Sequence, residues 1–200
     1  MLELLNSCAM AFDIPVLDWI HAHLVGGFMY NIWYFITLFG EGGIFWIATA
    51  VILLFSPKTR KVGLTMGLAL VMGLVVCNIT IKPLVARPRP VDLLASLGVT
   101  LPFEVIPMDD FSFPSGHTIA SFEAAVVILL YSRKWGIPAM ILAVLVSFSR
   151  LCLYVHYPTD VLVSVVLGSL FAVIAYFALR NVKLPDRRQH GKYERNDKAA

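Results

Sequence analysis

Three short polar clusters interrupt an otherwise apolar chain, and their residue types suit chemistry on a tetrahedral oxyanion. The first, Lys82 to Pro90, supplies cations between prolines; the second, Phe111 to Thr118, joins serine, glycine and histidine; the third, Ser149 to Asp160, contains arginine, histidine and aspartate. Taken singly, each has an ordinary structural explanation: a basic flank at lipid headgroups, a helix-capping turn, or a capping His/Asp pair. Together they offer the groups that phosphoryl transfer needs, because that reaction depends on positioning the phosphate and neutralising its charge.

The spacing within the first two clusters predicts an anion site. Lys82 and Arg89 are seven residues apart, which places them on one face wherever the segment is helical. Pro114 and Ser115 suit the first turn of a helix, where free backbone N–H groups and the positive end of the helix dipole attract anions.

The third cluster predicts an oriented nucleophile. Asp160 follows His156 by four residues, so the carboxylate can accept the imidazole N–H and leave the other ring nitrogen free for attack. Arg150 lies near the end of an apolar run, where a charge costs about 2.5 to 3.5 kcal/mol and therefore needs a partner or a ligand.

Composition assigns these clusters to a membrane protein. The 200 residues are 58% hydrophobic and only 14% charged, and the mean hydropathy is +0.78. A soluble domain carries about 25% charged residues, so an ordinary globular enzyme is excluded. A net charge of +3 is too small to indicate a nucleic-acid partner.

The hydropathy pattern predicts an all-α fold: a polytopic membrane bundle of about six transmembrane helices. The apolar segments run over about 20–39, 43–56, 62–80, 114–131, 136–153 and 159–180. Strands are excluded for these runs because an open sheet in lipid leaves backbone groups unpaired. Residues 1–180 are expected to form one membrane domain, and residues 181–200 a polar, disordered cytoplasmic tail. The first segment is interrupted by polar residues such as Asp18 and His21, so Asp13 to Leu24 lying in the interface, with five spans, is the alternative.

The distribution of basic residues predicts the orientation. With six spans and a cytoplasmic N-terminus, twelve of the sixteen lysines and arginines fall on the cytoplasmic side. These are Lys58, Arg60, Lys61, Arg133, Lys134 and seven from Arg180 to Lys198; the other four are Lys82, Arg87, Arg89 and Arg150. The polar clusters are therefore predicted to face the extracytoplasmic side of what looks like a bacterial cell membrane.

Neither the cysteines nor the acidic residues suggest a metal site. Cys8, Cys77 and Cys152 lie far apart in apolar surroundings, which is typical of buried small hydrophobic residues. Asp109 and Asp110 are interpreted as solvated loop residues without a magnesium-site pattern.

The clusters resemble the signatures of the type 2 phosphatidic acid phosphatase family of integral-membrane lipid phosphatases. The family pattern has three parts, which are Lys, six residues, Arg-Pro; Pro-Ser-Gly-His; and Ser-Arg, five residues, His, three residues, Asp. In this chain they are Lys82 with Arg89-Pro90, then Pro114-Ser115-Gly116-His117, then Ser149-Arg150 with His156 and Asp160. The motif match covers about residues 80–162, and the helix layout extends it over most of the chain. Arg87-Pro88 offers a second register, but only Arg89-Pro90 has the family's spacing.

The resemblance implies a role for each residue and no metal or other cofactor. His156 would attack phosphorus and form a phosphohistidine, Asp160 would orient it, and His117 would protonate the leaving group and later activate water. The groups that would hold the phosphate oxygens are Lys82, Arg89, Arg150, the Ser115 hydroxyl and the Gly116 amide.

The predicted function is metal-independent hydrolysis of a lipid phosphate or diphosphate, with membrane lipids as surroundings. By analogy within the family, undecaprenyl diphosphate is the favoured substrate, converted to undecaprenyl phosphate. Phosphatidylglycerol phosphate, phosphatidic acid and diacylglycerol diphosphate stay open. A non-hydrolytic phospholipid-binding or transport protein is an alternative of another class, against which the intact histidines argue. The vanadium haloperoxidases are similar in this pocket, but they are soluble.

Overall fold

The computed structural model describes residues 5–7 and 9–184, and the regular elements in this part of the chain are all helical. Cys8 and residues 185–200 of the predicted tail lie outside the described residues. In chain order the α-helices are α1 (Ile14–Leu24), α2 (Phe28–Thr37), α3 (Ile44–Leu54), α4 (Arg60–Gly73), α5 (Lys82–Val85), α6 (Pro90–Ser96), α7 (Gly116–Tyr131), α8 (Arg133–Cys152) and α9 (Pro158–Leu179).

Two irregular helical segments join these helices. A 3₁₀ segment, Leu38–Gly43, connects α2 to α3, and a π-helical segment, Leu74–Ile81, connects α4 to α5. The first contains a kink at Glu41 and at Gly42, whose φ of 53° is left-handed. Glycine adopts that conformation without steric cost, so the kink follows from the sequence Glu-Gly-Gly.

The predicted helical membrane bundle is confirmed, but the number of six spans is not. In the part of the chain that is described, four helical stretches are long and apolar enough to cross a membrane: Phe28–Leu54, Arg60–Ser96, Arg133–Cys152 and Pro158–Leu179. Gly116–Tyr131 is apolar but shorter, with 16 residues. The predicted spans 20–39 and 43–56 differ most from the structure. One kinked helical stretch, Phe28–Leu54, contains the second half of the first span and most of the second.

The N-terminal helix α1 lies at the same end of the bundle as the polar clusters. Oδ2 of Asp13 accepts a hydrogen bond from Nη2 of Arg87 at 2.9 Å, and Oδ1 of Asp18 accepts one from the Tyr154 hydroxyl at 2.7 Å. The fold therefore agrees with the alternative of an interfacial helix over Asp13 to Leu24. The six-span prediction puts Asp13 and Asp18 at the opposite end of the bundle, and their contacts with Arg87 and Tyr154 disagree with it.

The two ends of the bundle differ in charge. At the site end, where α7 and α9 begin and α8 ends, a buried apolar cluster that includes Leu17, Leu94 and Tyr157 packs behind the polar residues. At the opposite end α3, α7 and α9 end and α4 and α8 begin, with Lys58, Arg60, Lys61, Arg133, Lys134 and Arg180. Trp46 and Ser121 link α3 to α7 by a buried hydrogen bond of 3.0 Å.

Candidate active site

The three polar clusters meet at one cavity of about 880 Å³ at the site end. Six of the eight predicted site residues line it, namely Lys82, Arg89, Gly116, His117, Arg150 and His156. Ser115 and Asp160 are fully buried and lie outside the lining. The structure thus brings together residues from α5, α7, α8 and two connecting segments, while their catalytic roles stay predictions.

His156 lies in the turn between α8 and α9 with only 1% of its surface exposed. Its Nε2 is 3.4 Å from Nη1 of Arg89, and its Nδ1 is 3.6 Å from Oδ2 of Asp160, slightly beyond hydrogen-bonding distance. Burial and the positive charges nearby, foremost Arg89 and Arg150, hold the pKa of His156 well below its ordinary value. A neutral ring with a free electron pair on Nε2, facing the cations, is the form that can attack phosphorus.

Asp160, behind His156, is held by several donors. Its Oδ2 accepts a hydrogen bond from the backbone N–H of Tyr157 at 3.1 Å and another from the Ser112 hydroxyl. Its Oδ1 accepts from Nη1 of Arg87. Because every partner of the carboxylate is fixed in the protein, its orientation toward His156 is fixed as well.

His117, in the first turn of α7, contacts the kink between α2 and α3. Its Nε2 lies 3.3 Å from Oε2 of Glu41. Gly40 packs so closely that a Cβ atom there would lie 2.7 Å from Cδ2 of His117. The kink therefore requires glycine at this position and supplies a carboxylate partner to the predicted general acid.

Ser115, whose hydroxyl is predicted to contact the phosphate, is fully buried at the N-cap position of α7. Its Oγ accepts a hydrogen bond from Oγ1 of Thr118 at 3.1 Å, and its N–H donates to Oγ of Ser164 at 2.8 Å. The second bond anchors the start of α7 to α9, and the phosphate contact of the hydroxyl stays a prediction. Gly116 does line the cavity, and a Cβ atom there would approach the amide of Asn78 at 3.2 Å.

The three cations predicted to bind phosphate differ in how many of their N–H donors already have a protein acceptor. Nζ of Lys82 lies 2.5 Å from Oδ2 of Asp110, and Nη2 of Arg89 binds Oδ1 of the same carboxylate. Arg150 donates from Nη1 to Oγ1 of Thr37 at 2.6 Å, whereas its buried Nε and Nη2 have no protein acceptor. Donors left unpaired in a buried cationic pocket are suited to bind an incoming anion.

Asp110 is the exposed loop residue that the sequence predicts, but it also has a role at the site. Its side chain is 51% exposed and bridges two cations, Lys82 and Arg89. Partial burial acts to raise the pKa of Asp110, but hydrogen bonds from Lys82 and Arg89 outweigh it and lower that pKa to about 2.

Several residues of the site were not found from the sequence. Arg87, Ser112, Asn78 and Thr37 all support or line it, and Glu41 had no assigned role. Arg87 belongs to the repeat Arg-Pro-Arg-Pro, which could have indicated a role, but only Arg89 has the spacing from Lys82 that the family pattern requires. Among the residues described, no group of three or more His, Cys, Asp or Glu side chains is arranged to hold a metal ion.

A buried histidine and several cations around one cavity, at one end of an apolar helix bundle, are the features expected of an integral-membrane phosphatase. The chain belongs to the PAP2 superfamily, whose family model matches residues 62–183. That range contains all three clusters, so the family resemblance read from the motifs is confirmed.

Named relatives agree with this assignment. The chain is 38% identical over 125 residues to an undecaprenyl-diphosphatase of Sulfolobus acidocaldarius, a match that covers 62% of this chain and 58% of that protein. It is 32% identical to the undecaprenyl-diphosphatase BcrC of Bacillus subtilis, over 70% of this chain and 72% of that protein. These names support the prediction of a lipid phosphatase.

A solved structure shares the fold. This chain superimposes with a TM-score of 0.71 on the crystal structure of a transmembrane PAP2-type phosphatidylglycerolphosphate phosphatase from Bacillus subtilis. The match covers 91% of this chain and 94% of that one, at 24% sequence identity. The helical arrangement described above is therefore that of a known membrane phosphatase fold.

Proposed function

We propose that this protein hydrolyses a polyprenyl diphosphate, with undecaprenyl diphosphate as the favoured substrate, through a phosphohistidine on His156 and without a metal ion. The observation that carries the proposal is the position of His156. His156 lines the same cavity as Arg150, whose Nε and Nη2 have no protein acceptor, and its Nε2 lies 3.4 Å from Nη1 of Arg89. An imidazole held beside cations that can bind phosphate is suited to nucleophilic attack.

The shape of the cavity supports a lipid substrate. Beyond the polar residues the cavity continues between α3 and α4, where its walls are apolar. Residues along this groove include Ile47, Val51, Leu54, Leu64, Leu68 and Val71. A phosphate group bound at Arg150 would therefore have its hydrocarbon chain beside a continuous apolar surface, and burial of that chain adds affinity. The diphosphate is favoured over other headgroups by the names of the relatives.

The reaction can be written with its protons balanced. Nε2 of His156 attacks the terminal phosphorus while the bond from that phosphorus to the lipid phosphate oxygen breaks, and His117 gives a proton to the leaving oxygen. His117 then takes a proton from water, the water oxygen attacks the same phosphorus, and the bond between phosphorus and nitrogen breaks to release inorganic phosphate. A general acid of this kind typically contributes about 10² to 10⁴-fold.

The site is proposed to face the extracytoplasmic side. Lys58, Lys61, Arg133 and Lys134 belong to the opposite end of the bundle, and lysine and arginine favour the cytoplasmic side of a membrane protein. In this orientation the enzyme would act on a lipid carrier in the outer leaflet.

Phosphate release by the purified protein tests the proposal. Undecaprenyl diphosphate, phosphatidylglycerol phosphate and phosphatidic acid are compared with and without excess EDTA, and labelled protein is trapped at alkaline pH because phosphohistidine is acid-labile. We expect the diphosphate to be the best substrate, with activity and label unaffected by EDTA. His156→Ala should abolish both. The control His23→Ala should abolish neither, because His23 lies on α1 with its Nδ1 2.8 Å from the Trp19 carbonyl.

Each rival has its own outcome. Normal turnover by His156→Ala would refute the nucleophile, and loss of activity in EDTA restored by magnesium would refute the metal-independent mechanism. Binding of lipid phosphates without any release would favour the non-hydrolytic alternative.

A further inference from the structure

Arg87 is enclosed behind the active site between two buried carboxylates. The side chains of Arg87, Asp13 and Asp160 are all 0% exposed. Nη2 of Arg87 lies 2.9 Å from Oδ2 of Asp13, and its Nη1 donates to Oδ1 of Asp160. The guanidinium carbon lies 3.8 Å from the centre of the Tyr157 ring, so the remaining face of the cation is covered as well.

Asp13 is itself fixed by the start of α9. Its Oδ1 accepts from the backbone N–H of Thr159 at 3.0 Å, and its Oδ2 accepts from the Thr159 hydroxyl at 2.8 Å. This arrangement ties the N-terminal segment to the residue that precedes Asp160. It also leaves Asp13 no freedom to rotate away from Arg87.

Such a buried charged group is a poor device for stability alone. Desolvating the charges costs several kcal/mol for each ion, and well-packed apolar residues often stabilise a core equally well. The partner of Arg87 that approaches the His156 ring is Asp160, whose Oδ2 lies 3.6 Å from Nδ1 of His156. The arrangement therefore has a chemical consequence at the histidine whatever it contributes to folding.

We propose that Arg87 and Asp13 are positioning residues of the phosphatase reaction: Asp13 holds Arg87, and Arg87 fixes the Asp160 carboxylate and partly neutralises the charge that it presents to His156. The inference rests on the proposed function, in which His156 is the nucleophile. Neither residue touches the cavity, so both act through Asp160.

The proposal predicts shifts of opposite sign in the pH dependence. Asp13, Arg87 and Asp160 together carry one negative charge. Asp13→Asn removes that net charge, which disfavours the imidazolium form of His156 and moves the acidic limb of kcat/KM to lower pH. Arg87→Gln instead leaves two negative charges, from Asp13 and Asp160. This favours the imidazolium form of His156 and moves the acidic limb to higher pH.

The other groups that act electrostatically on His156 are the same in all variants. They are the charged Lys82, Arg89, Arg150 and Asp110, together with the titratable His117. Because none of these is altered, a difference between variants reports on the charge behind Asp160. We expect shifts of about one pH unit, the lower end of what a nearby charge causes.

The experiment compares Asp13→Asn, Arg87→Gln, Arg87→Lys and a matched control, Asp18→Asn. Asp18 is also on the N-terminal segment and also binds a buried residue, Tyr154, but has no contact with Arg87 or Asp160. For each purified full-length protein, kcat/KM is measured against pH, and the inhibition constant of vanadate and the melting temperature are measured alongside.

The expected results separate positioning from mere folding. Arg87→Lys keeps the charge, so its profile should stay in place while kcat falls about 10- to 100-fold, as for other residues that orient a catalytic group from behind. Vanadate inhibition should change little in every variant, because the cations lining the cavity are untouched. Asp18→Asn should match the wild type in its pH profile.

Two results would overturn the inference. One is an unshifted profile in both Asp13→Asn and Arg87→Gln; should Arg87→Gln fail to fold, an unshifted Asp13→Asn profile suffices. The other is a shift of the pH profile in the control Asp18→Asn as large as the shift in Asp13→Asn. If His156→Ala stays active, the proposed function itself fails; if it is inactive while the charge variants keep the wild-type profile, only this inference fails.

Discussion

At the scale of single residues, the proposed mechanism makes the pH range of the reaction depend on the protonation state of His156. Since its pKa is held well below the ordinary value, the ring stays neutral at a lower pH than a solvated histidine does. The free enzyme must carry a neutral His156 to attack phosphorus, and kcat/KM reports the free enzyme.

We therefore expect the acidic limb of kcat/KM, corrected for ionisation of the substrate, to lie below about pH 6.5, the value for an unperturbed histidine. Initial rates between about pH 4 and 8, together with a phosphorus NMR titration of the substrate, measure this limb. A limb at or above the unperturbed value would show that His156 is not the titrating nucleophile.

Asp110 yields a second prediction at this scale. Its carboxylate occupies the donors of Lys82 and Arg89 that a phosphate would use. Asp110→Asn should therefore strengthen inhibition by vanadate about fivefold, corresponding to the ~1 kcal/mol upper end for an exposed ion pair. The neighbouring Asp109→Asn, whose side chain is not in these ion pairs, is the control. Weaker inhibition in Asp110→Asn would instead mean that Asp110 holds the two cations in place for the anion.

At the scale of helices, the groove between α3 and α4 is the proposed binding surface for the lipid chain. Gly67 lines this groove, and a Cβ atom added there would meet no atom within 4 Å. Gly67→Trp should therefore fill the groove without disturbing the helix backbone. Val166, on the outer face of α9 with 65% exposure, provides a matched control as Val166→Trp.

We expect Gly67→Trp to raise KM for undecaprenyl diphosphate about tenfold or more, since excluding even two methylene groups forfeits about 1.6 kcal/mol of burial. Hydrolysis of p-nitrophenyl phosphate, which has no hydrocarbon tail, should be unchanged. Equal losses on both substrates would show that the groove serves the structure of the site and not the lipid chain.

The sequence predicted which residues meet at the site better than it predicted the residues that support them. The spacing rules selected Lys82, Arg89 and His156, which line the cavity, and Asp160, which lies behind it, because phosphoryl transfer restricts which groups can act together. Arg87 and Asp13 were missed because they are 74 residues apart, and only the folded chain brings them into contact. The kink at Gly42 was missed for a related reason, since hydropathy records apolar length and not backbone direction.

At the scale of the whole molecule, the placement of α1 changes the topology. With this helix at the site end, residues before α2 and residues after α5 lie on the same side, in contrast to the six-span arrangement. Phe12 is 52% exposed there and tolerates a reporter.

Cysteine labelling distinguishes the two arrangements. With the three native cysteines replaced, single cysteines at Phe12 and Ser96 should both react with an impermeant maleimide in intact cells. One at Ser132, between α7 and α8, should react only after permeabilisation. Labelling of Phe12 together with Ser132 would restore the six-span arrangement and contradict the contact between Asp13 and Arg87.

The hydrogen bonds between Asp13 and Thr159 join positions 146 residues apart, near the two ends of the described chain. During biosynthesis the segment that contains Asp13 leaves the ribosome before α9, and it has to wait at the membrane surface until α9 has been inserted. Only then can the Asp160 carboxylate, held through Arg87, acquire its full set of partners. On the proposed mechanism an incompletely inserted chain would carry the phosphate-binding cations without an oriented His156, so catalytic competence would coincide with completion of assembly.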